Sequence, residues 1–209
     1  MIISCGVNVV YPRWQVGQQI PDVEVELATV DGGFASVKSV LGSGKSILLG
    51  MPGAYTPTCN DVHLPGYYRA AAEMRSLGVD NIALLTTNDR FVNAKWQEDM
   101  EACMGVPQGE GPVLMLSDAR GDLAESLGLI GYLGRALGVR SKRFALLVEN
   151  GVVKYKAVDE GSERLETTSA EEMLNYLRSS PGGGGGGFPL LQIGVAFFAF
   201  FVFFVTNVL

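Results

Sequence analysis

The chain has 209 residues, 47% of them apolar and 18% charged, with a net charge of −6. That length suits one domain with an accessory segment, and the apolar fraction is ample for a packed core. An acidic balance with no basic run argues against nucleic acid as the main partner, and three scattered cysteines with one histidine make neither a zinc site nor a disulfide scaffold.

Taken from the start, residues 1–15 read as an N-terminal extension. The stretch "MIISCGVNVV" has no basic start and no long apolar run, so it does not read as a secretory signal. Reduced thiols in a reducing compartment fit the cysteine usage. From there the chain alternates. "VEVEL" over 23–27 reads as a strand with one wet face. "SILLGM" over 46–51 is a continuous apolar run, expected of a buried central strand. Helices are expected over 61–77, 89–104 and 170–177. Further buried strands are expected over 81–87, 113–118 and 144–149. "ENG" over 149–151 is a tight-turn signal joining the last of these to a strand over 152–158, which makes a hairpin. Strands alternating with helices and closed by a hairpin and a helix predict an α/β, thioredoxin-like fold, a central mixed sheet flanked by helices, over 16–178.

"GSGKS" over 42–46 resembles the end of a phosphate loop. Ser39 stands where that pattern needs glycine, and the stretch precedes a strand instead of following one. It reads as a lysine-bearing turn.

The end of the chain changes character. Residues 179–187, "SSPGGGGGG", read as a flexible linker. Residues 188–209 carry no charge and seven phenylalanines. As a helix that segment would span about 33 Å, against a bilayer core about 30 Å thick. The expectation is one transmembrane helix, a tail anchor. Arg178 on its near side keeps the soluble domain on the cytosol-, stroma- or matrix-like side. The plastid, the mitochondrion and the endoplasmic reticulum all remain open. Gln192 and the aromatic load also suit packing against other membrane subunits.

Cys59 follows a Pro/Gly loop at the end of a buried strand, where a helix begins. Backbone N–H groups at a helix start are unpaired and carry partial positive charge, which favours a thiolate over a thiol. Pro52, Thr56 and Cys59 form the pattern P-x-x-x-T-x-x-C within "PGAYTPTCNDVHLPGYY". This pattern resembles the active-site signature of the peroxiredoxins, in particular their type II (type five, atypical) class. The similarity continues through residues 84–96, 116–129 and 138–154 and covers roughly 16–177.

The resemblance implies a thioredoxin fold and a thiol-dependent peroxidase acting on hydrogen peroxide and alkyl hydroperoxides. Cys59 would be the peroxidatic cysteine, oxidised to a sulfenic acid. Thr56 would hold the peroxide, and its hydroxyl also suits a helix cap. Arg143 would bind peroxide oxygen and favour the thiolate, with Arg140 as the fallback and Lys142 as surface charge. Pro52 would shield the thiolate or shape the loop. The amide of Cys59 would be a further donor. His63 lies one turn after Cys59 on the same face, where both an active-site contact and plain packing are open. Trp96 reads as packing. No haem, flavin or metal is implied.

Many relatives of this class carry a resolving cysteine, in one subgroup where this chain has Leu84 and in another around Thr167, and neither position is a cysteine here. Cys5 and Cys103 match no family position. The expectation is a one-cysteine cycle, with the sulfenic acid reduced by glutathione with glutaredoxin or by thioredoxin. Two alternatives belong to other classes: an accessory subunit of a large photosynthetic or respiratory membrane complex, and a redox sensor passing oxidation to a partner thiol. A homodimer of the soluble domain is a further expectation.

Overall fold

A computed structural model describes residues 15–29, 31–161 and 163–180. Its elements run β1 (Glu24–Leu27), β2 (Phe34–Ser36), α1 (Val37–Leu41), β3 (Lys45–Gly50), a π-helical segment (Thr58–His63), α2 (Leu64–Ser76), β4 (Asn81–Thr86), α3 (Arg90–Met104), β5 (Leu114–Ser117) and α4 (Asp122–Ser126). They continue with β6 (Ile130–Tyr132), α5 (Gly134–Leu137), β7 (Val139–Ser141), β8 (Arg143–Glu149), β9 (Val152–Asp159) and α6 (Ala170–Ser179).

The apolar runs of β3 and β4 pair in parallel at the centre of a seven-stranded sheet, order β2-β1-β5-β4-β3-β8-β9. β5 continues the parallel set beyond β4, while β8 runs antiparallel to β3 and β9 antiparallel to β8. Parallel neighbours need a crossover, and α2 and α3 supply it. Side chains alternate across the sheet. Ile47, Leu49, Leu84 and Leu147 face α2, α3 and α6, whereas Leu48, Leu85, Leu146 and Val148 face α1 and α4. The result is the expected thioredoxin-like α/β fold with a central mixed sheet and flanking helices.

Local chemistry sets the boundaries. Asp89 caps α3, its carboxylate accepting from the amides of Phe91 and Val92 at 3.0 Å each. Asn150 and Gly151 take φ of 49° and 77°, the turn that "ENG" predicts between β8 and β9. Lys45 opens β3 and pairs with Glu149 at 3.5 Å, so the "GSGKS" stretch is a turn leading into a strand. Each of the six expected strands and three expected helices is present within a few residues. Six further elements of three to five residues (β2, α1, α4, β6, α5 and β7) are too short to show a period in the sequence.

One expectation needs correction. The helix expected over 61–77 starts earlier, and its first turn is π-helical, with the Leu64 amide donating to the Cys59 carbonyl. Pro65 is the physical reason, because it has no N–H to offer the carbonyl of Asp61 four residues back. Among the described residues no helix is long and apolar enough to cross a membrane. The segment expected to do so, 188–209, lies outside the described residues, as do Cys5 and the linker from 181 onward. Ser179, the first residue assigned to that linker, is the last of α6.

Candidate active site

β3 delivers the chain to the site. The Met51 amide extends the ladder, donating to the Leu85 carbonyl at 3.1 Å, and Met51, Pro52 and Gly53 are buried. The loop then turns on side chains and strain. Asn88 Oδ1 accepts from the Ala54 amide at 2.9 Å, and Tyr55 takes φ of 58°. Thr56 Oγ1 donates to the Gly53 carbonyl at 3.0 Å, while the Thr56 carbonyl accepts from the Asn60 amide at 2.8 Å. The Thr56 hydroxyl therefore closes the loop instead of capping the helix, and its lone pairs stay available to an incoming donor.

Cys59 is wholly buried in the π-helical segment. Extra turns of this kind recur at functional sites because they re-aim side chains. Arg143, the first residue of β8, is also wholly buried. Its Nη1 lies 3.5 Å from Cys59 Sγ and 2.9 Å from His63 Nδ1. Burial, and then the Arg143 charge, push the His63 imidazole down to about 3, so the ring is neutral at ordinary pH. A guanidinium only donates, so Nδ1 accepts from it. The proton of the neutral ring is then on Nε2, which donates to the Thr168 carbonyl at 3.0 Å. His63 is thus both packed in the interior, edge-on to Tyr67, and in contact with Arg143.

The Thr168 carbonyl also accepts from Tyr67 Oη at 2.9 Å, and burial holds that phenol far above its usual range, so it remains a donor. Behind Thr168 stands Asp159, opposite Arg143 in the β8–β9 ladder. Burial works against its charge. Hydrogen bonds from Thr167 and Thr168 outweigh that and hold its carboxyl at about 2. Asp159, Thr168, Tyr67 and Asn88 are members of the site that sequence reasoning missed. Only the start of α6 carried a signal nearby, a capping serine at Ser169 followed by Glu172.

The other candidates fall as follows. Trp96 packs in the core as expected, and its indole N–H donates to Asn60 Oδ1 at 2.7 Å, tethering the turn that carries Cys59. Arg140 is half-buried, its Nε donating to the Leu137 carbonyl at 2.8 Å. Its guanidinium would stand 3.7 Å from a Cβ built on Gly53, so it borders the site without touching Cys59 in the described contacts. Lys142 lies away, alongside Gly131. Leu84 is buried in the core, and Thr167 bonds to Asp159 through both its amide and its hydroxyl. Cys103 is exposed on α3, in a surface groove with Tyr55, Asn60 and Arg69. Among the described residues no group of three or more histidine, cysteine or carboxylate side chains could hold a metal ion.

Comparison with known proteins gives the family. The Redoxin family model matches residues 15–174. Peroxiredoxin-2E-2, chloroplastic, of Oryza sativa subsp. japonica is 39% identical over 173 residues, covering 78% of this chain and 72% of its own. Peroxiredoxin-2E, chloroplastic, of Arabidopsis thaliana is 38% identical over 168 residues, covering 78% and 68%. Among solved structures, reduced Prx3 of Vibrio vulnificus in complex with H2O2 superposes with a TM-score of 0.71 at 32% identity, covering 79% of this chain and 96% of that one. The chain belongs to the redoxin family and, within it, is a peroxiredoxin with thiol peroxidase function.

Proposed function

We propose that Cys59 is the peroxidatic thiol of a one-cysteine peroxidase held at a membrane by residues 188–209. The observation that carries the chemistry is the Arg143 guanidinium, whose Nη1 sits within hydrogen-bonding reach of both Cys59 Sγ and His63 Nδ1. A buried cation beside a sulfur favours the thiolate, and the thiolate is the nucleophile.

The sulfur attacks the terminal oxygen of the peroxide. An S–O bond forms as the O–O bond breaks. Cys59 becomes a sulfenic acid, and the departing alkoxide takes a proton to leave as alcohol, or as water from hydrogen peroxide. Negative charge grows on the departing oxygen, and the fixed guanidinium of Arg143 and the Cys59 amide are the donors placed to meet it. The Thr56 hydroxyl accepts the peroxide O–H while donating to Gly53. Pro52, buried and without an N–H, keeps water from competing.

An external thiol then attacks the sulfenic sulfur and expels water, and a second thiol resolves the mixed disulfide. The absence of cysteine at Leu84 and Thr167, and the packing of both, support an external reductant of the glutathione/glutaredoxin or thioredoxin kind. The charge-free run of 188–209 after a glycine tether supports the membrane anchor. The two relatives named chloroplastic favour a plastid membrane.

The test is single-turnover peroxide loss by the reduced full chain in mild detergent, beside Cys59→Ser. Fast loss of one equivalent, abolished in the variant and retained in Cys103→Ser, is expected. Equal slow loss in wild type and Cys59→Ser would sink the reading. Membrane extraction of the full chain, compared with a chain ending at residue 187, tests the anchor separately.

A further inference from the structure

We infer that Asp159 is a positioning residue that sets the tautomer of His63 and, through it, the aim of Arg143 at Cys59. This rests on the proposed role of Cys59 for its consequence in catalysis, but not for its geometry.

Asp159 ends β9 and is almost fully buried. Its two carboxylate oxygens receive five donors from one short segment. The amides of Glu166, Thr167 and Thr168 lie at 3.0, 2.8 and 3.3 Å, and the hydroxyls of Thr167 and Thr168 at 2.6 Å each. Such a nest satisfies the carboxylate and fixes the segment at once. What it fixes is the Thr168 carbonyl, pointed between His63 Nε2 and Tyr67 Oη.

The consequence runs through one proton. A neutral imidazole carries its hydrogen on one nitrogen or the other. With a carbonyl held against Nε2, the hydrogen stays there, and Nδ1 presents a lone pair to Arg143. If Thr168 swings away, the Nδ1–H tautomer becomes accessible. That tautomer sets a donor against a donor at 2.9 Å, and the guanidinium must turn. The hydrogen bond at Cys59 Sγ is made by the same Nη1, so it shifts with it. Among the described residues the charged and titratable groups that face His63 are Arg143 from β8, Asp159 from β9 and Tyr67 from α2, with Cys59 sharing the Arg143 nitrogen.

The chain has a single histidine, so its ring signals need no assignment. The experiment is a nitrogen-15 spectrum of the imidazole in the full chain, in detergent micelles, for wild type, Asp159→Asn, the Thr167→Val/Thr168→Val pair and the Thr167→Ser/Thr168→Ser pair. Cys59 alkylation by iodoacetamide at pH 6 is measured alongside. Wild type and the serine pair should show one Nε2–H ring. Asp159→Asn and the valine pair should show a mixture of tautomers or a ring that titrates above pH 5. Alkylation at pH 6 in those two should fall about tenfold relative to wild type.

A wild-type ring protonated on Nδ1 would overturn the inference. So would an Asp159→Asn protein with lower thermal stability but an unchanged ring and unchanged alkylation, because a purely structural carboxylate would behave that way. None of these readouts needs peroxide, so the inference and the peroxidatic role of Cys59 can fail independently.

Discussion

Arg143 and His63 share a hydrogen in the buried interior: Nη1 of the guanidinium lies 2.9 Å from Nδ1 of the ring, and the same nitrogen lies 3.5 Å from Cys59 Sγ. A full positive charge is thus kept out of water next to a sulfur, with a neutral ring as its brace. Burying a charge is expensive unless its hydrogens are satisfied, so the guanidinium depends on partners such as the His63 ring.

In the proposed mechanism, replacing Arg143 removes the charge beside Cys59 and the donor that would meet the departing oxygen. Arg143→Gln should lower the second-order rate with hydrogen peroxide by roughly 100- to 1,000-fold, the range found when a transition-state donor is lost. Arg143→Lys keeps the charge but replaces a planar fork with a compact ammonium, and it should recover only part of the rate. Stopped-flow tryptophan fluorescence or peroxide consumption measures both. Rates within twofold of wild type would remove Arg143 from the chemistry.

Gly50 predicts a steric effect at the same place. It pairs with Phe144 across β3 and β8, and a Cβ there would collide with the Phe144 ring. Phe144 is fully buried and follows Arg143 directly, so the ring has little room to yield. Gly50→Ala should destabilise the domain by about 1–3 kcal/mol, as overpacked cores do. The peroxide rate should fall as well, because the displaced ring pulls on Arg143. Denaturant unfolding and the peroxide rate test the two parts.

How far these relationships can be read from the sequence depends on their range along the chain. The apolar runs at 46–51 and 81–87 announce central strands because burial on both faces leaves little polar pattern. Pro52, Thr56 and Cys59 are legible because they lie within eight residues of one another. Arg143 was reachable only through family resemblance. The partners of His63 were not reachable at all, since Thr168 lies 105 residues away and Arg143 lies 80 away. Asp159 looks like an ordinary acidic residue at a strand end until the fold wraps 166–168 around it. The π-helical turn was hidden because helical periodicity does not register one inserted residue, although Pro65 marks the place.

Trp96 offers a stability prediction. Its ring is fully buried, and its indole hydrogen goes to Asn60 Oδ1 at 2.7 Å. Asn60→Leu leaves that N–H without its partner, which should cost about 1–3 kcal/mol. Asn60→Leu combined with Trp96→Phe removes both polar groups, so the coupling between the two changes should be favourable in a double-mutant cycle. Because Asn60 follows Cys59, the single variant should also loosen the turn and slow the peroxide step several-fold. Strictly additive stabilities would mean the indole finds another acceptor.

The final prediction is a pH dependence of stability that the single histidine makes legible. His63 is pushed down to about 3 by burial and by Arg143, against 6.5 for a histidine in water. Between those values the unfolded chain binds a proton that the folded chain refuses, so stability rises with pH there. The contribution is fully present above 6.5 and is lost as pH falls toward 3. Over the two units from 6.5 to 4.5 the loss should be about 2–3 kcal/mol. Two carboxylates complicate the lower edge. Asp159, held at about 2 despite its burial by the Thr167 and Thr168 hydrogen bonds, loses its stabilisation only further down, as pH falls through that value. Asp118 is raised by burial, against bonds from the Ala124 and Leu123 amides, so its stabilisation is present at low pH and lost as pH rises. Subtracting a His63→Gln variant cancels both. The difference between the two proteins, measured by guanidinium unfolding at pH 7.0, 5.5 and 4.5, isolates the ring. A wild type that loses stability more steeply than His63→Gln across that window carries a buried neutral imidazole. Parallel curves would mean the ring takes up its proton as readily in the folded chain as in the unfolded one, and Nδ1 could not then be accepting from Arg143 at pH 5.5 or 4.5.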